Sequence, residues 1–105
     1  MIYTTTESVP YRETSEILGV VTGSVVQSKN IGRDILAGLK SIIGGEISGY
    51  TEMLIEARDI AIQRMVENAH KKEADAVVGI RFSTSSIMEG SSEIMVFGTA
   101  IKLKT

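Results

Sequence analysis

The sequence predicts a two-layer α+β sandwich of order β-α-α-β-β, with a three-stranded antiparallel sheet covered by two helices. A β-branched run with two spaced glycines occupies residues 16–28. Apolar residues then recur at helical spacing in two successive stretches between residues 31 and 72. Two period-two runs, separated by a Glu-Gly-Ser-Ser turn, fill the last third. At 105 residues the chain is sized for a single domain over 1–105, because two independent cores would each be too small to fold without staples.

The first strong segment carries Ile17, Leu18, Val20, Val21, Val25 and Val26 and has no helical cap, so it reads as a strand. Apolar side chains on both parities imply burial on both faces over part of its length. Gly19 and Gly23 share one face, the placement of a bulge or of a close approach by another element. Ile2 to Thr6 can add a short strand ahead of it. Ile31, Ile35, Leu39 and Ile42 then mark a helix of about three turns that ends at Gly44-Gly45. A second helix starts between Ser48 and Thr51 and runs to about Lys72. Tyr50, Leu54, Ala57, Ala61, Met65 and Ala69 line one face of it, opposite a charged surface. Ala76, Val78, Ile80, Phe82 and Thr84 alternate with polar or small residues, as a half-buried strand does. Glu89-Gly90-Ser91-Ser92 reads as a hairpin turn, and residues 93–104 return with Met95, Phe97, Thr99, Ile101 and Leu103 on one face.

Composition excludes several classes. Hydrophobic residues at 43% and charged residues at 23% exclude a disordered chain, and one Pro excludes a proline-rich one. With no Cys there is no disulfide, thiolate metal site or cysteine nucleophile. A net charge of -2 with only short basic pairs, Lys71-Lys72 and Lys102 with Lys104, argues against nucleic acid. No apolar run approaches the roughly 20 residues of a membrane span, and residues 1–10 lack a signal-peptide pattern, so the expected address is the cytoplasm. The mean hydropathy of +0.14 is high for so small a chain, and the surplus apolar surface points to a subunit interface.

Motifs for dinucleotide, P-loop, hydrolase-elbow and zinc-protease chemistry are absent from the sequence, so no catalytic residue is assigned. His70 is the sole histidine and sits beside Lys71 and Lys72, where a helix-terminal cation is the ordinary role. Glu52, Glu56 and Asp59 have i, i+4, i+7 spacing and line one helix face; with Glu46 from the preceding loop they have the oxygen donors of a hard-cation site. A solvated or intersubunit ion-paired face is the commoner use of such a row. Gly44-Gly45 before a helix start offers free N–H groups for an anion if Arg33 or Arg58 converges there. A helix stop with a sharp turn after it accounts for the same pair.

Gly44-Gly45-Glu46, Tyr50-Thr51, Glu56-Ala57-Arg58, Ala74-Asp75-Ala76-Val77-Val78-Gly79 and Gly98-Thr99-Ala100 together resemble the small YbjQ-like, or UPF0145, family, often labelled "putative heavy-metal-binding". The resemblance spans residues 23–101. It implies a dodecin-like β-α-β-β subunit, with the helical layer interrupted at the double Gly, and assembly into a homopentameric ring. Soft metals prefer thiolate and imidazole, so a chain with no Cys and one His suits the label poorly. Glu73 stands where the family tends to have Gly: either it takes the left-handed conformation at a cost of about 1 kcal/mol, or the turn differs. The expected function is a non-enzymatic, cytoplasmic homo-oligomer acting as a binding or structural module, with itself as partner and no cofactor. The alternative is a divalent-metal protein using Glu46, Glu52, Glu56 and His70 across a subunit boundary. An enzyme with an intersubunit site built on Arg58 and Glu46 is the third class.

Overall fold

The computed structural model describes residues 1–28, 48–88 and 91–105. The predicted first helix, Gly44-Gly45 and Glu46 lie outside the described residues, as do Glu89 and Gly90. The described elements are β1 (Ile2–Tyr3), β2 (Thr14–Ser28), α1 (Ser48–Lys71), β3 (Ala76–Met88) and β4 (Ser91–Leu103). They form an α+β fold in which the C-terminal strand β4 is central.

The sheet has the order β1-β3-β4-β2, with β4 antiparallel to both β2 and β3 and β1 parallel to β3. The short strand allowed over Ile2 to Thr6 forms at Ile2–Tyr3 and joins the predicted three antiparallel strands as a fourth, parallel one. The addition has a main-chain cause: without it the outer edge of β3 would lack partners near Val77. Thr4 donates its N–H to the Val77 carbonyl (3.0 Å), while Ile80 and Gly79 donate to the carbonyls of Thr4 and Thr6 (3.1 and 2.8 Å).

α1 covers one face of the sheet with the stripe the spacing predicts. Ala57, Ala61, Met65 and Ala69 are buried, and the last three form a cluster with Val21, Val77, Ile80, Val96 and Ala100. The alanines bring the helix close, and Gly23 brings β2 closer still. A Cβ at Gly23 would press on the Ala61 carbonyl oxygen and lie 2.5 Å from the Met65 nitrogen. On either side of this contact the helix grips the strand. Arg64 Nη1 donates to the Ser24 carbonyl (2.6 Å) and Asn68 Nδ2 to the Thr22 carbonyl (2.8 Å).

Gly19, at φ +116°, sits at a register shift between Ile17 and its neighbours on β4, so one glycine of the pair makes a bulge and the other a close approach. A second bulge corrects the predicted alternation of β3. Gly79 has φ +64° and the β3–β4 register shifts between Val78 and Arg81. The extra residue turns Ile80 toward α1, while Ala76 and Val78 join Val9, Ile101 and Leu103 in a second cluster on the opposite face. From Arg81 to Met88 the strand is exposed, including Phe82, Ile87 and Met88. The β4 residues Met95, Phe97, Thr99, Ile101 and Leu103 share the face away from the helix, and Ile94, Val96 and Ala100 are buried beneath it.

The end of α1 is a Schellman turn. Glu73 donates its N–H to the His70 carbonyl (2.9 Å) and Ala74 to the Ala69 carbonyl (3.1 Å), while Ala74 packs on the core. Glu73 holds φ +61°, so of the two alternatives at this position the left-handed residue is the one that forms. Glu73→Gly should therefore raise the unfolding free energy by about 1 kcal/mol, and Glu73→Ala should not, because alanine bears the same Cβ penalty. Urea melts at one fixed protein concentration decide it.

Candidate functional site

α1 places Glu52 and Glu56 one turn apart on its exposed surface, with Asp59 also exposed. The ion pair found among the described residues is Lys104 with Glu13, 2.9 Å apart, so no neighbouring cation there neutralises this row. His70 is exposed fourteen residues beyond Glu56, about 21 Å further along the helix axis. The structure thus brings Glu52 and Glu56 together and leaves His70 far from both. Among the described residues no three His, Cys, Asp or Glu side chains are grouped to hold a metal ion. Arg58 is exposed and turns its Nε onto the Leu54 carbonyl of its own helix (3.3 Å), a local contact that gives no sign of an anion site.

The more developed feature lies on the sheet face away from α1, the second face that the apolar residues on both parities of β2 imply. The segment between β1 and β2 folds back over one end of this face and buries Val9 against Val78, Ile101 and Leu103. Beyond that cover the face is open, with Ile17 at 71% and Val20 at 69% exposure and Val26 also exposed. Where the cover stops, a cavity of about 370 Å³ opens. Its floor is apolar, with Ile17, Val78 and Ile101, and Thr14, Thr99 and Glu7 supply its polar atoms. The wall that carries Glu7 is pinned in place. Thr6 Oγ1 donates to the Ser8 carbonyl (2.6 Å) and lies 3.0 Å from Thr4 Oγ1, and Arg81 Nη1 donates to the Thr5 carbonyl (3.0 Å).

The same segment ends in a turn closed by Arg12 N–H on the Val9 carbonyl (3.1 Å), with Pro10 and Tyr11 between them. Tyr11 occupies the position of a type II turn that requires positive φ, at +64°, where glycine belongs and a bulky residue costs about 1–2 kcal/mol. Its side chain is fully exposed, at 106%. Two hydroxyls, one carboxylate and an apolar floor can hold a side chain or a small apolar ligand. The cavity lining contains no His, Cys or Lys.

No helix among the described residues is long and apolar enough to cross a membrane. The fold matches a solved structure, a protein of unknown function of the DUF74 family from Pediococcus pentosaceus, with TM-score 0.67 and 18% identity, covering 99% of this chain and 98% of that one. In sequence the chain is 77% identical over 104 residues to a UPF0145 protein of Colwellia psychrerythraea, covering 99% of each. It is 60% identical over 104 residues to one of Thermotoga maritima, covering 99% of this chain and 98% of the relative. The model of the YbjQ family, described as "Putative heavy-metal-binding", matches residues 1–104. The order of motifs, the fold and these full-length similarities agree: the chain belongs to the YbjQ-like, UPF0145 family.

Proposed function

We propose that this chain is a non-enzymatic homo-oligomeric module, pentameric and cytoplasmic, that serves a binding or structural role. The open sheet face supports the reading most directly: Ile17, Val20 and Val26 lie exposed together on the side away from α1. The number five comes from the family resemblance.

The family's metal label finds no soft donor set in this chain, which has no Cys and one exposed His. A second reading is a hard divalent cation held by Glu52 and Glu56 with donors from a neighbouring copy; the exposure of both carboxylates favours it. Native mass spectrometry of protein purified from its own host separates these readings. The expected spectrum is a particle of five chains of 11.3 kDa that retains no zinc, copper or mercury. A monomer at micromolar concentration contradicts the assembly, and stoichiometric retention of one of these ions contradicts the donor-set reading. A calcium or manganese adduct that is lost in Glu52→Gln/Glu56→Gln establishes the second reading.

A further inference from the structure

We infer that Tyr11 of one copy fills the cavity beside Ile17 of the next, an inference that rests on the oligomeric reading above and supplies its contact. The turn that presents Tyr11 is fixed from below, because Val9 is buried in the cluster with Val78 and Ile101. Its tip nevertheless holds a bulky aromatic at φ +64°, fully exposed to water. Both features count against the isolated subunit: glycine would relax the backbone, and a polar residue would suit the exposure. A tyrosine is accounted for if its ring is buried in the assembly, since aromatic residues with a polar tip anchor interfaces.

The cavity has complementary chemistry. Ile17, Val78 and Ile101 offer an apolar floor to the ring, and the exposed Glu7 carboxylate at the wall accepts from the hydroxyl. At about 370 Å³ it sits at the small end of ligand-sized cavities and admits a tyrosine ring with room to spare. Its wall is already tied by the Thr4, Thr6 and Arg81 hydrogen bonds, so docking requires little ordering. Knob and hole occupy different parts of one chain. Each copy therefore offers both a knob and a hole, and a head-to-tail repeat of the contact whose rotation closes gives a ring.

The chain has no Cys, so introduced thiols report without background. Chains carrying Tyr11→Cys are mixed with chains carrying Thr99→Cys and oxidised; a disulfide joining the two kinds of chain is expected. Separately, Tyr11→Gly should raise at least tenfold the concentration at which the particle dissociates in sedimentation, with the subunit's circular dichroism unchanged. Glycine suits the turn, so loss of fold does not confound the result. If the wild-type protein assembles but either result is missing, the tyrosine contact is wrong and the oligomeric reading stands. A wild-type protein that is monomeric at micromolar concentration overturns both.

Discussion

Gly23→Ala is expected to destabilise the protein by about 3 kcal/mol or more, the upper part of the range for overpacking. The cost is steric rather than conformational. The new methyl meets the backbone of α1, with the Ala61 carbonyl oxygen pressed upon and the Met65 nitrogen 2.5 Å away. A flexible side chain would swing aside, but a helix backbone has to retreat as a body. Retreat would also stretch the Arg64 and Asn68 hydrogen bonds to Ser24 and Thr22, which flank the contact. For a domain of this size the loss corresponds to a fall in melting temperature of roughly 12–24 °C. Ala61→Gly in the same chain should give no rescue, because it leaves the obstructing carbonyl in place. A Gly23→Ala protein that melts within a few degrees of wild type would show that helix and strand are not in this contact.

Met65→Ala should cost about 2–5 kcal/mol, as deletion of a long apolar side chain from a packed core does. Met65 is wholly buried and is the largest of the fully buried side chains. Its cluster combines Ala61, Ala69 and Ala100 with Val21, Val77, Ile80 and Val96, and how far the larger ones relax into the space sets where in the range the loss falls. Met65→Leu keeps most of the volume and should cost less than ~1.5 kcal/mol. Denaturant melts of the two variants at matched concentration measure the difference, which removes the contribution of assembly to apparent stability. Equal losses in both would mean that the site is not filled by shape.

The legible parts of the fold are those whose spacing is local. Ala57, Ala61, Met65 and Ala69 fall on one stripe within a single helix, so their common burial comes from periodicity alone. Glu73 as a left-handed helix terminator is equally readable, from the resemblance, because one turn of chain contains the whole motif. The alternation in β3 misleads past Val78, since a bulge at Gly79 changes which parity is buried and a lone glycine does not announce its φ. The short strand allowed over residues 2–6 forms as β1, but its parallel place beside β3 is set by main-chain groups more than seventy residues away. The carboxylate row is visible as spacing, but the distance from Glu56 to His70 is set by the straightness of α1. The cavity combines residues from the N-terminal segment and all three long strands, a combination that only the folded topology creates.

The central place of β4 has a consequence during synthesis. Both N-terminal strands depend on partners made late in the chain: β2 pairs with β4, and β1 pairs with β3. Translation proceeds at roughly 5–20 residues per second. From completion of Ser28 to completion of Leu103 the ribosome therefore needs roughly 4–15 s, during which β2 has no native sheet partner. In that interval the nascent chain carries Val20, Val21, Val25 and Val26 as an unpaired β-forming segment, the kind that pairs with other chains. Thr22, Gly23 and Ser24 divide those valines into two short pairs. Gly23, which lets α1 approach in the finished subunit, thus also sits at the break in the nascent strand's stickiest run while it waits for the end of the chain.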